Sequence, residues 1–286
     1  MKQADRTIGI DLGGTNVRAG IVEEGQLLKM TSRKINAEGT KQEVLESIFN
    51  AVDELEGTSV AGIGVGVPSV VDTKTGVVYD VQNIPSWNEV ALKDILEERY
   101  KVRTLVNNDA NCMALAERHF GLGKTHDNMI GLIIGTGLAG GIIINGQLYE
   151  GVNCGAGEFG MVKYLDHHFE YYASGQFFKN VHNTAGEDVY MKAMEGDNVS
   201  LTLFGELGRH LGHAIETILF AYDPSLIVLG GSLGGVYHLY KESLWQELAR
   251  FPYRQSIQNL TIEVSELSNP GVLGAAALSY NFRSFH

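Results

Sequence analysis

The sequence predicts an α/β protein made of two related domains. Three observations lead there: strands alternate with helices along the chain, one strand-turn-strand unit occurs twice, and glycines gather in clusters after strands. Such alternation builds sheets covered by helices. "IGIDLGGTNVRAGIVEEGQLL" from Ile8 and "IGLIIGTGLAGGIIINGQLY" from Ile130 each read as an apolar strand, a Gly-rich turn, a second strand and another turn. With one residue of slip, both close on "GQL". Ile8, Ile10 and Leu12 alternate in the first copy, and Ile130, Leu132 and Ile134 in the second, which is the period of two expected of strands. The repeat means that one hairpin opens two successive halves.

The elements follow in order. "KQEVLESIFNAVDEL" places Leu45, Ile48, Val52 and Leu55 on one helical face. "GIGVGVPSVV" reads as a strand entering a turn, "VALKDILEERY" as a helix, and "TLVNNDANCMALAE" as a strand that turns polar and continues as a helix. In the second half, "LTLFGELGRHLGHAIETILFAYDP" is a long helix with Leu201, Phe204, Leu211, Ile215 and Ile218 inward and Pro224 just past its end. "SLIVLGGSLGG" is a buried strand into a glycine turn, and "GVLGAAALSYNF" a closing helix. The boundary is expected near Gly121 to Lys124, giving a smaller domain of residues 1–122 plus 274–286 and a larger one of 123–273.

Composition bounds the function. A chain of 286 residues, 44% hydrophobic and 20% charged, has room for a sizeable core. No run approaches the roughly 18 apolar residues of a membrane span. "MKQADRT" has no apolar core behind its basic residue, so no secretory signal is expected. Two cysteines, Cys112 and Cys154, exclude a disulfide framework and fit the cytoplasm. A net charge of −12 argues against nucleic-acid partners, which need a basic face, but leaves open a nucleotide held by backbone amides.

Three glycine turns suit such a ligand: "DLGGTN" (Asp11 to Asn16), "GTGLAGG" (Gly135 to Gly141) and "LGGSLGG" (Leu229 to Gly235). Without Cβ atoms, consecutive amides can close around an anion. Any one of them could be an ordinary hairpin turn. Three, two of them in equivalent places of a repeat, point to phosphate. Gly135 to Gly140 matches GxGxxG, but that fingerprint needs a helix next, whereas "GIIINGQLY" continues as a strand into an Asn-Gly turn. No GxxxxGK[ST] occurs, which excludes a P-loop. The polar residues Asn107, Asn108 and Asp109 have two readings. They are good helix caps, and they stand beyond the carboxyl end of a strand, where α/β sheets bind ligands.

Jointly, "GIDLGGTNVRAGIV", "VNNDANCMALAE", "GTGLAGGIIINGQLYEGVNCGAGEFG", "YYASG" and "IVLGGSLG" resemble the ROK family of bacterial sugar kinases and repressors, over almost the whole chain. The resemblance implies a two-domain actin-like ATPase (ribonuclease H-like) fold with its paired hairpin loops across an interdomain cleft. It also implies Mg2+- and ATP-dependent phosphorylation of a hexose 6-hydroxyl. Asp11 would lie near the metal, while Gly13, Gly14, Thr15 and Asn16, with Gly135, Thr136, Gly137 and Gly140, would cradle phosphates. Gly230 and Gly231 would lie against the adenosine. Asn108 and Asp109 would contact the sugar, with Asp109 as the catalytic base. Glu158 and Glu170 would accept hydrogen bonds from ring hydroxyls, and Asn83 would reach the sugar too.

Glucose is the first expected substrate; N-acetylglucosamine, N-acetylmannosamine, mannose and fructose are the alternatives. A non-catalytic sugar sensor would not need Asp109, and repressors of the family carry a winged helix for which ten residues before Asp11 leave no room. Many members hold a structural zinc through a His and a cysteine cluster. Here Met161 stands at the His position and the cysteine-bearing loop is missing, so no zinc is expected. His167 or His168 would then supply the lost contact near the anomeric end. A cytoplasmic homodimer that closes over its ligands completes the expectation.

Overall fold

The structure, a computed structural model, describes residues 6–55, 59–81 and 83–283. Residues 1–5, Gln82 of "VQNIPSW" and residues 284–286 of the expected closing segment lie outside this set. The first sheet starts with an antiparallel meander, β1 (Thr7–Leu12), β2 (Asn16–Glu23) and β3 (Gln26–Lys34). Helix α1 (Lys41–Asp53) follows, started by a capping box in which the Thr40 hydroxyl accepts from the Glu43 amide and the Glu43 carboxylate from the Thr40 amide. Strand β4 (Gly62–Val67) returns parallel to β1. A small antiparallel sheet, β5 (Val70–Asp72), β6 (Val77–Tyr79) and β7 (Glu89–Ala91), leads to α2 (Leu92–Tyr100). Strand β8 (Thr104–Asn108) pairs parallel with β4, and α3 (Asp109–Phe120) continues from it without a loop. The order is β3-β2-β1-β4-β8.

The second sheet repeats that order with later strands. Strands β9 (Met129–Ile134), β10 (Leu138–Ile144) and β11 (Gln147–Tyr149) take the places of β1, β2 and β3. A two-stranded ribbon, β12 (Lys163–Tyr164) and β13 (His167–His168), precedes α4 (Phe169–Ala173), α5 (Phe177–His182), α6 (Gly186–Met194) and the long α7 (Asn198–Tyr222). Strand β14 (Leu226–Gly230) lies parallel to β9 and passes directly into the single turn α8 (Gly231–Gly234). Helices α9 (Lys241–Leu248) and α10 (Arg254–Asn259), strand β15 (Thr261–Val264) and helix α11 (Pro270–Arg283) end the chain. The order β11-β10-β9-β14-β15 matches the first sheet position by position, so the repeat in sequence is a repeat of topology.

The stripe on α7 differs from expectation at one end. Phe204, Leu211, Ile215 and Ile218 are buried, but Leu201 is 37% exposed. The buried row steps back four residues from Phe204 to Ser200, which leaves Leu201 on the flank.

The chain divides into two compact units, residues 1–125 with 141–156 and 266–286, and residues 126–140 with 157–265. Residues 141–156 and 266–273 thus group with the first unit, where the sequence reading placed them in the second domain. Side-chain chemistry accounts for the first of these segments: Gly141 lies on Ala110 and Ala114 of α3, and Cys154 hydrogen-bonds to Asn107 and Asn111.

In the first unit α11 lies with its backbone almost on the sheet. A Cβ at Gly9 would overlap the Val272 carbonyl, one at Gly64 the Ala275 carbonyl, and one at Gly274 the Cys112 carbonyl of α3. Backbone carbonyls cannot step aside as a flexible side chain would, so these positions accept only glycine. Gly64→Ala is therefore expected to lower unfolding free energy by about 1–3 kcal/mol. Gly155→Ala, at a position with nothing within 4 Å of an added Cβ, should leave it nearly unchanged in the same denaturant titration.

Candidate active site

Parallel pairing decides what meets at the edge of the first sheet. Asp11 of β1 pairs with Gly66 of β4, which pairs in turn with Asn107 of β8. These residues form one row, two strand spacings or roughly 10 Å wide. Everything just beyond that row lies at the carboxyl edge: the loop Gly13–Thr15, Pro68 and Ser69, and Asp109.

The first glycine loop is closed by the Gly13 amide donating to the Asn16 carbonyl at 2.9 Å. Thr15 is exposed at its tip and accepts from the Ile35 amide through its own carbonyl. Asp11 is only partly exposed; burial raises its pKa above the ordinary carboxylate value, and the Arg18 guanidinium at 3.4 Å partly offsets this. Its carboxylate also lies close to Gly271, in the first turn of α11. Asn83 stands exposed on a compact turn anchored by the fully buried Ile84 and Trp87, and its side chain lies against Gly14.

At the β8–α3 junction the capping role falls to Asn108. Its Oδ1 accepts from the Ala110 and Asn111 amides at 2.8 and 3.4 Å, and its Nδ2 donates to the Ser69 carbonyl at 3.3 Å. Asp109 follows as the first helical residue and is half-buried. Asn107, to which the family resemblance assigned no contact, holds the junction from behind. Its Oδ1 accepts from the Asn108 amide (2.8 Å), the Asn111 side chain (2.9 Å) and the Cys154 thiol (3.1 Å), while its Nδ2 donates to Glu150 at 2.5 Å. Burial first of all pushes the Cys154 thiol up to about 11, so it stays protonated and able to donate. The first Asn of "NNDAN" was the available signal: three consecutive polar residues at a strand end exceed what one helix cap needs.

The second unit carries the other loop. Its turn is Gly135–Gly137, closed by the Gly135 amide on the Gly137 carbonyl at 3.0 Å. Gly140, expected among the phosphate-binding glycines, lies instead in β10. It is buried against the Phe159 ring and its amide is committed to the Gly157 carbonyl at 2.8 Å, so no donor is left for a phosphate. Glu170 of α4 braces this loop: its Oε2 accepts from the Leu138 amide at 3.1 Å and its Oε1 from Gln176 at 3.1 Å. Gln176 and Ser174 both donate to the Thr136 carbonyl at 3.0 Å, and the Gly175 amide donates to the Gly135 carbonyl at 2.7 Å. Ser174 was legible as part of the "YYASG" motif but not as a strut, and Gln176, just past it, was not singled out.

Glu158 precedes the 3-10 turn Phe159–Met161. The residue is exposed, yet protein crowds its carboxyl; that desolvation, and then the charge of Glu170, raise its pKa. Met161 is 49% exposed. His168 Nδ1 lies 3.2 Å from the Gly160 carbonyl, whereas the His167 ring stacks on Tyr171 with centroids 3.9 Å apart. Gly230 is buried at the end of β14, and Gly231 has φ of +78° with its α-carbon against the Ile134 carbonyl. Beside loop and turn opens a cavity of about 670 Å³, walled by Phe178, Tyr190, Phe204, Leu233 and Val236, with Gly135, Thr136 and Ser232 also in its lining. Among the described residues, His213, Glu216 and Glu247 form the group close enough to share a cation, and the His213 nitrogens already face Glu216 (2.9 Å) and Glu247 (3.8 Å).

Comparison with known proteins supports the motif reading. The ROK family model matches residues 7–281. The glucokinase of Thermotoga maritima is 26% identical over 306 residues, covering 96% of each chain. The crystal structure of a ROK family glucokinase from Streptomyces griseus, in complex with glucose and AMPPNP, is 29% identical with a TM-score of 0.81 over 96% of this chain and 98% of that one. The xylose repressor of Bacillus subtilis is 26% identical over 97% of this chain and 77% of its own. The duplicated sheets are therefore those of the actin-like ATPase fold.

The Glu158 shift has a testable sign. A carboxyl whose folded pKa is raised stabilises the protein only while protonated, so that contribution is complete below its unfolded value and lost as pH rises through the folded one. Glu158→Gln is expected to be more stable than the parent at pH 7, with the advantage vanishing below about pH 4, as read by denaturant unfolding across pH.

Proposed function

Because the chain belongs to the ROK family, we propose that it is an ATP-dependent hexose kinase, with glucose as the first substrate, that transfers the γ-phosphate to the sugar 6-hydroxyl. The row Asp11–Gly66–Asn107 carries the reading, because it brings an amide-lined turn and the Asp109 carboxyl to one sheet edge. Phosphoryl transfer asks the protein mainly to align a nucleophile and neutralise phosphate charge. Asp109 accepts the hydrogen bond of the 6-hydroxyl, aims its oxygen, and takes the proton as the bond to phosphorus forms. Asn108 keeps one amide hydrogen for a neighbouring hydroxyl, since the cap uses both lone pairs of its Oδ1 and the Ser69 carbonyl takes the other hydrogen. Glu158 and Glu170 are acceptors for ring hydroxyls; bracing the loop leaves Glu170 with lone pairs to spare. Asn83 supplies a further polar group beside the first loop.

The residues present fit the nucleotide. The amides of Gly14, Thr15 and Asn16 and of Thr136 and Gly137 suit the phosphates, while those of Gly13 and Gly135 close the two turns. The 670 Å³ cavity beside Gly230, Gly231 and Thr136 has the size and apolar walls of a nucleoside site. A carboxylate raised by burial gains from a cation, so Asp11 fits Mg2+, directly or through its water. The metal, when bound, supplies neutralisation of phosphate charge. Met161 is a poor zinc ligand, and no zinc is part of this reading. His168, tied to Gly160 two residues before Glu170, takes the place of the family His for the anomeric end of the sugar. A cytoplasmic homodimer belongs to the same proposal, and another hexose or an N-acetylhexosamine is the alternative substrate.

A coupled ADP assay over a panel of hexoses and N-acetylhexosamines tests the reading; no sugar-dependent ADP release from any of them would end it. With the preferred sugar, Asp109→Asn should lower kcat by about 10²–10⁴-fold while the fold persists. His168→Ala should raise the KM for sugar and spare that for ATP, and His167→Ala should change neither.

A further inference from the structure

Behind β8, wholly within the first unit, lies a second cavity of about 310 Å³. Three cations reach its lining: Lys74 from the β5–β6 turn, Lys93 from the first turn of α2, and Arg103 just before β8. Two carboxylates, Glu97 and Glu150, share it. In a chain of net charge −12, three cations around one hollow need a reason.

Both carboxylates are already engaged. Glu97 accepts from the Thr104 amide at 2.9 Å, and Glu150 from Asn107 at 2.5 Å and Thr73 at 3.1 Å. Asp72, the nearest acid in sequence to Lys74, accepts from the Lys74 and Thr75 amides. Among the described residues neither Lys74 nor Lys93 has a carboxylate within ion-pair distance; the Lys93 ammonium donates to the Lys74 carbonyl at 3.3 Å. Unneutralised ammonium groups on a concave wall suit an anion, and a phosphate above all. The engaged carboxylates keep lone pairs that only donors can fill, and hydroxyls are such donors. A volume at the lower end of small-molecule sites suits one sugar ring with its phosphate.

We propose that this cavity is a regulatory site for a sugar phosphate, and that its occupancy is felt at Asp109. Glu150 lines the cavity and grips Asn107, whose Oδ1 holds the Asn108 amide and the Asn111 side chain on either side of Asp109. A ligand hydroxyl that donates to a spare lone pair of Glu150 shares the carboxylate with the Asn107 amide and draws it toward the ligand. The junction then loses its grip and turnover falls. The binding half of the proposal is independent of the kinase reading; the regulatory half rests on it.

Calorimetric titration of the full chain with glucose 6-phosphate, with inorganic phosphate and glucose as separate arms, decides the binding half. The comparison is a Lys74→Ser/Lys93→Met double variant, in which methionine keeps the stem that packs on Gly76. The parent should bind glucose 6-phosphate, and more weakly inorganic phosphate, at one site more than the variant does, and glucose should bind both alike. Equal stoichiometry and affinity in parent and variant would overturn the site. In the ADP assay, glucose 6-phosphate should inhibit the parent in a way that saturating hexose does not relieve. The variant should keep its basal kcat and be about tenfold less sensitive, within the usual span of allosteric coupling. Equal sensitivity would overturn the regulation. A parent with no kinase activity would sink the proposed function, and the titration would still decide the site.

Discussion

Parallel strand register is the constraint on which the rest of this structure depends. Because β1, β4 and β8 run the same way, their carboxyl ends fall on one edge, and Asp11, Gly66 and Asn107 are forced into a single row. The glycine loop and Asp109 come from segments nearly a hundred residues apart, yet no loop has to reach for the other. The second sheet repeats the arrangement: β9 and β14 are parallel, and the Gly135–Gly137 turn and Gly230 leave from the same edge. Rigid strand ends hold the groups they carry more closely than loops do, which suits the alignment that the proposed phosphoryl transfer needs.

That register is protected by backbone packing. Gly9 and Gly64 let α11 settle onto the strands, and Gly274 lets it settle onto α3, so the two helices and the sheet form one block behind the Asp109 edge. The junction itself is held by hydrogen bonds in place of apolar contacts. Buried polar groups must be paired, and the Asn107 side chain answers that demand by accepting three hydrogen bonds and donating one. Glu150 is a charged acceptor for the last of these, and charge-assisted bonds are the stronger kind. Position and the proposed chemistry thus enter through different residues: Asn107 and Glu150 hold the junction at which Asp109 stands.

Much of this was legible because it is local. The duplicated hairpins follow from a period of two and a glycine cluster, the helices from apolar stripes, and the ROK likeness from motifs read in order. Two misreadings have the same source. Gly140 continues a GxGxxG spelling but sits past the turn, because the strand resumes at Leu138. Leu201 continues an apolar run but not the 3.6-residue row, which passes through Ser200. A spelling does not say where an element begins.

The sequence by itself determined the fold class, the repeat, the two glycine turns and the aspartate at a strand end. Each depends on neighbours within a few residues, where periodicity and backbone sterics act. Tertiary structure alone decided that Asn108 takes the N-cap position while Asp109 also accepts from the Ala110 amide, that Glu170 braces a loop, and that Glu150 clamps Asn107 from 43 residues away. It alone gathered Lys74, Lys93 and Arg103 around one cavity. Those roles arise from side chains brought together by strand pairing and helix packing, and a hydrogen bond or an ionic wall exists only once its partners share a place.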